Sequence, residues 1–206
     1  MDAQGEVRTG ALADVEVVDE DWYGLTLSGL TCTGVSFADV DMTEVHSDGC
    51  TFDGSTFRRV QLNASRHASS AFVNCTFEQC TFFAAALTGC KLVGSTFSRC
   101  TFPSLVVDGG DWSFVSLAGA DLSRASFADV RMREADLAGA QAHGATLRNV
   151  DLSAAAVRSA DFSGADLRGC DLTAVDLGGV YLRGAVITWE QAAQVVTALG
   201  LDVRAE

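Results

Sequence analysis

Ala120-Asp121-Leu122-Ser123-Arg124 returns as Ala135-Asp136-Leu137-Ala138-Gly139 and again as Ala165-Asp166-Leu167-Arg168-Gly169. Outward from these phrases, every residue whose number ends in 2 or 7 belongs to one series. It runs over 36 positions from Leu12 to Ile187, nearly all large and apolar, and only Ser47, His67 and Ala142 depart from it. Two places earlier the residues are small, with Glu20, Leu25, Leu30 and Leu105 as exceptions. A period of five fits neither the 3.6 of a helix nor the 2.0 of a flat strand. A strict short repeat instead marks a solenoid, whose units bury their faces only against their neighbours.

The phrases resemble the A-(D/N)-L-x-x unit of the pentapeptide-repeat family, and the resemblance extends over most of the chain. It implies an all-β fold: a right-handed quadrilateral β-helix with four pentapeptides per coil, about nine coils, and a short C-terminal α-helix. Residues 20 apart should then stack, in a rod roughly 43 Å long at the ~4.8 Å spacing of neighbouring strands. Two units follow: the repeat domain over 1–187, with a kink expected near 103–110, and a capping segment over 188–206. Ala142, between Leu122 and Phe162 in its column, predicts a small void or a local tightening.

No apolar run approaches the length of a membrane span. Met1-Asp2-Ala3-Gln4-Gly5-Glu6 lacks the basic and apolar regions of a signal peptide, so a cytoplasmic location is expected. Cys50, Cys75, Cys80, Cys90, Cys100 and Cys170 occupy the small inward slot and Cys32 the large one, which accounts for each as a buried small hydrophobe. No CxxC pair is present, so neither zinc nor another metal is expected, and free thiols are. No cofactor is implied.

Ser47 and His67 are 20 residues apart and should be neighbours. They read either as a hydrogen-bonded polar pair (or a bulge turning both outward) or as a dyad; no third group completes a catalytic site. Pro103, the single proline, would remove a ladder donor, and bulky Leu105 fills a small slot beside it, hence the expected kink. After Ile187, Thr188-Trp189-Glu190-Gln191 reads as a capping box opening a helix, with Gly200 closing it. Trp189, Ala192, Ala193, Val196 and Leu199 lie on one face at helical spacing. That face either covers the open edge of the last coil or joins a second copy. The segment resembles the terminal dimer module of the mycobacterial fluoroquinolone-resistance (MfpA-type) proteins, which implies a homodimer through Trp189, Ala192, Ala193, Val196, Leu199 and Leu201.

The net charge of −13 is unevenly spread. Residues 1–57 hold 12 acids and one Arg, 58–100 hold one acid and five bases, and 101–206 hold 14 acids and eight bases. Asp111, Asp121, Asp136, Asp151, Asp161, Asp166, Asp171 and Asp176 sit at the repeat's own Asp position, where turn hydrogen bonds explain them as well as function does. Nothing in the repeat demands Asp14, Asp19, Asp21, Asp39, Asp41, Glu44, Asp48 and Asp53. Solvation could account for them, or they form a partner-binding acidic surface. The alternative to mere solvation is imitation of B-DNA, which presents one charge per ≈ 1.7 Å. The same charge disfavours direct contact with nucleic acid, and no membrane contact is expected.

The unbroken register leaves no room for the loops that interrupt Qnr-type repeats, so the MfpA-type proteins are the nearer resemblance. Both groups protect DNA gyrase from quinolones, and the resemblance implies a DNA mimic that binds gyrase or topoisomerase IV. Self-protection in an antibiotic producer by the same mechanism, or a scaffold with another protein partner, remain alternatives. Catalysis is not expected: His46, His67 and His143 form no metal-spaced pair, and no nucleophile elbow or phosphate loop is present.

Overall fold

The computed structural model describes residues 6–204, so the reading of Met1–Gly5 lies outside the described residues. Its chain winds into a parallel β-solenoid whose walls are set by the five-residue period. Val7–Arg8 opens a wall that continues at Thr26–Ser28 and at 46, 66, 86, 106, 126 and 146, then as single bridges to 166 and 186. Ala11–Ala13 followed by Thr31–Thr33, and Glu16–Val18 followed by Ser36–Ala38, start a second and a third wall in the same way. A fourth consists of single bridges, beginning Asp21–Asp41–Gln61. Four walls and a 20-residue step make a four-sided tube.

Each wall turns into the next at a residue whose number ends in 4 or 9, and almost all of these have positive φ, as at Asp19 (52°) and Gly29 (58°). The left-handed corner explains why Gly, Asn and Asp are so frequent there. Inside, the large slots close on one another. Phe37, Phe57, Phe77 and Phe97 stack face to face, with successive centroids 4.9, 4.6 and 4.7 Å apart. Cysteine and serine in the small slot do a second job: Cys75 Sγ–H reaches the Phe52 carbonyl at 3.3 Å, and Ser95 Oγ–H reaches that of Phe72 at 2.7 Å. All seven cysteines are free thiols, and only Cys100 is half-buried rather than buried.

The first coil slips by one residue. Arg8, not Val7, pairs with Leu27, and its guanidinium lies 4.6 Å from the Trp22 ring centre. Glu20 accepts from both Trp22 Nε1 and Arg8, so a cation on an aromatic ring closes the N-terminal end.

Among the described residues two seams interrupt the walls. The first separates 99–104 from 118–124: Thr101 bonds back to Cys80, but no backbone bond leads forward from Arg99, Phe102 or Ser104, nor back from Asp121. The seam lies beside the stretch 103–110 where a kink was expected, and the removal of a ladder donor by Pro103 does not cause it. The residue in the Pro103 slot is not a ladder donor elsewhere; Tyr23 and Thr43 spend their N–H groups on Asp21 and Asp41. Proline therefore removes nothing from this wall. Buried Leu105 stands in a column between Ala85 and Ala125, and the wall beside it stays laced, with Val106 N–H on Ala85 and Ser126 N–H on Leu105, both at 2.9 Å. Five residues on, Gly110 (φ 97°) brings its backbone so near the previous coil that a Cβ would sit 2.0 Å from the Cys90 carbonyl oxygen. The second seam separates 156–159 from 176–179.

Thr188 caps α1 (Trp189–Ala198) in the capping box read from the sequence. The face docked on the last coil is not the one that carries Trp189 and Leu199. Gln191 is buried and Val195 packs on the core, whereas Trp189 is 89 % exposed and Leu199 56 %. Gln191 acts as a plug for the open end: its Oε1 accepts from Gly169 and Thr188 N–H, and its Nε2 donates to the Leu167 and Cys170 carbonyls. A glutamine serves here because an edge of a sheet offers both donors and acceptors.

Candidate acidic binding surface

The walls sort the eight candidate carboxylates. Asp21 and Asp41 stack directly, in one parallel bridge. Asp19 and Asp39 occupy the adjoining corner one coil apart, and Glu20 lies between them and the Asp21 wall. Five carboxylates thus crowd one edge across two coils. The others are dispersed: Asp48 belongs to the wall of Thr26–Ser28, Asp53 to that of Thr31–Thr33, and Asp14 and Glu44 to two further corners. The eight residues form a collar around the N-terminal coils, and only Asp19, Asp21, Asp39 and Asp41 are brought together.

Their separation from the repeat's own aspartates also needs correcting. Asp21 Oδ1 accepts the Tyr23 N–H at 2.9 Å and Asp41 Oδ1 that of Thr43 at 2.8 Å. Asp151 and Asp171 do the same for Ser153 and Thr173. The turn therefore demands Asp21 and Asp41 as much as it demands their C-terminal counterparts, although one oxygen of each remains for a partner.

Sequence reading also missed the pairing of charges from coil to coil. Arg59, one rung beyond Asp39, grips that carboxylate with Nε and Nη2, and this hydrogen bonding holds Asp39 below the usual carboxylate range. Arg99 pairs with Glu78, and Arg131 with Asp111 at 3.0 Å. Spacings of 20 and 21 residues between opposite charges were the available signal. The basic band at 58–99 therefore partly neutralises its acidic neighbours. At the corner between this wall and the next, the Glu44 carboxylate raises the pKa of the nearby Tyr23 hydroxyl.

Ser47 and His67 point inward, not outward. Ser47 Oγ is 2.7 Å from His67 Nδ1, and His67 Nε2 is 3.0 Å from Ser65 Oγ. Ser65 donates its proton to the Leu62 carbonyl, so it accepts from Nε2–H, and Nδ1 accepts from Ser47. Burial lowers the His67 pKa to about 4, with nearby His46 adding to the effect. Every polar atom of the pair is matched inside the core, the pattern of a structural pair.

The pentapeptide-repeats family model, eight copies of the unit, matches residues 116–153 and 151–188. Over residues 116–188 this chain is a pentapeptide-repeat protein. Its repeats superpose on QnrB1, a plasmid-mediated fluoroquinolone resistance protein, in a trypsin-treated variant form. The TM-score is 0.85 at 21% identity, over 97% of this chain and 99% of that one. Full-length QnrB1 gives 0.69 at 21% identity, over 93% and 100%. HetL, involved in heterocyst differentiation regulation in the cyanobacterium Nostoc sp. strain PCC 7120, gives 0.54 at 21% identity, over 88% and 87%. These likenesses establish a shared β-helix. No curated protein matches the chain.

At the far end of the repeats, the residues expected at a dimer interface divide. Trp189, Ala193, Leu199 and Leu201 are exposed, and Ala192 and Val196 are half-buried beside the docked Val195. Tyr181, Val186 and Val203 add exposed apolar surface to the same end. Among the described residues no helix is long and apolar enough to cross a membrane.

Proposed function

We propose that this protein is a binding module, not an enzyme, that presents its acidic edge to the cationic DNA-binding surface of a type II topoisomerase such as DNA gyrase and relieves poisoning by quinolones. The observation that carries the reading is the edge formed by Asp19, Glu20, Asp21, Asp39 and Asp41. Three carboxylates in one coil and two in the next, at ~4.8 Å spacing between coils, approach the one charge per ≈ 1.7 Å of duplex DNA. A rod bearing such a row is steered to a basic groove by the same field that draws DNA. The named role of QnrB1 suggests the partner; HetL is a reminder that the same fold serves other roles. A second copy docked through Trp189, Leu199 and Leu201 would double the rod and place an acidic collar at each end.

The test is gyrase supercoiling with and without a fluoroquinolone, at micromolar protein. Asp19→Lys should weaken protection, and Arg59→Glu, which frees Asp39, should strengthen it. Both effects should shrink with added salt. Identical behaviour of the two variants, or no protection by the parent chain, refutes the reading.

A further inference from the structure

The filling of the tube changes along its length while its bore does not. Every coil spends 20 residues on its circumference, but the Phe columns of the first half give way to Leu152, Val157, Leu172 and Leu177 near the end, with Phe162 the one ring among them. Smaller side chains within walls of fixed spacing leave space that close packing cannot remove. The space is a cavity of about 150 Å³ in the core of the last two coils, with Val195 of α1 on its outer side. It lies one coil beyond Ala142, which is not part of its lining.

Its chemistry is one-sided. Every side chain around it is Leu, Val, Phe, Ile or Ala. A water held there would need two to four polar partners and would find no side chain to supply them. A cavity of that size lined by Leu, Ile and Phe stays dry and takes up benzene or xenon. The second seam runs beside it: Val157 and Leu177 face the cavity from the two coils that no backbone bond joins over 156–159 and 176–179. The wall is thus unlaced where a small molecule would enter.

We propose that the core beneath α1 is a binding cavity for one small apolar molecule of about the size of benzene, entered through the seam at 156–159 and lidded by Val195. A molecule in it touches α1 and the last coil together, and so stabilises the docked helix. The proposal is independent of any topoisomerase partner.

The experiment uses the full chain. Benzene is added in sealed cells, and unfolding is followed by circular dichroism and binding by methyl NMR. At ten times its Kd, benzene should raise Tm by roughly 3–5 °C. Methyl shifts should be confined to the residues lining the cavity, Leu152, Leu172, Leu177 and Val195 among them. Val195→Phe fills the space from the helix and Ala185→Leu from the coil; each should abolish both responses, and having two keeps the test open if one variant fails to fold. A parent chain with neither Tm rise nor methyl shift overturns the proposal, as does a folded filled variant that responds like the parent.

Discussion

His67 should make the rod sensitive to acid over a defined interval. Its imidazole is 4 % exposed, and its two nitrogens meet only the hydroxyls of Ser47 and Ser65. Protonation would put a cation in the core with His46 nearby and no carboxylate partner. The folded pKa is about 4, against about 6.5 for an unfolded histidine. A depressed folded value means that the unfolded chain binds the proton first. Stability is therefore full above pH 6.5 and falls as pH drops towards 4. At pH 5 the loss from this one group is about 2 kcal/mol. The assay is urea unfolding by circular dichroism at pH 7 and pH 5, for the parent chain and for His67→Leu. Carboxylate titrations are common to both and cancel, so the difference between the two pH-dependent losses isolates His67. An equal loss in both chains would refute the burial argument, whatever the absolute stabilities.

Two further outcomes follow from the packing. Gln191→Ala removes four hydrogen bonds at the last coil and leaves its edge groups unpaired; a local cost of about 2–3 kcal/mol should appear as faster hydrogen exchange in α1 and the last coil, with the Phe-rich coils unchanged. Gly110→Ala must place a methyl 2.0 Å from the Cys90 carbonyl oxygen at a φ of 97°. It should lower stability by roughly 2 kcal/mol or more, read as a lower urea midpoint, whereas Gly29→Ala, with open space around it, should cost nearer 1 kcal/mol.

The fold was legible because the repeat writes the same contact into every coil: a residue's slot follows from its last digit. The slot told that Ser47 would meet His67, but not that Ser65 and Ser70 stand ready to complete the network. The corners left a weaker signal than the apolar series, the recurrence of Gly and Asp at numbers ending in 4 and 9, because many residue types share those places. Asp21 and Asp41 were misjudged because neighbouring acids made a repeat position look like a surface decoration. α1 shows what periodicity cannot decide. Trp189 and Leu199 share an apolar face, yet the unpaired groups of the last coil favour Gln191, because hydrogen-bond demand at an open edge outweighs the area that a second face could bury.

The seam at 99–104 has a mechanical meaning. A tube laced on every wall is stiff in all directions, and one slit along a single wall bends most easily about that slit. Arg99, Phe102 and Ser104 on one lip and Asp121 on the other have no bonds to break when the gap widens. The two halves of the rod can therefore tilt against each other in one plane, like a book opened at its spine, so the angle between the carboxylate-rich coils and the capped end is adjustable where the coils themselves are not.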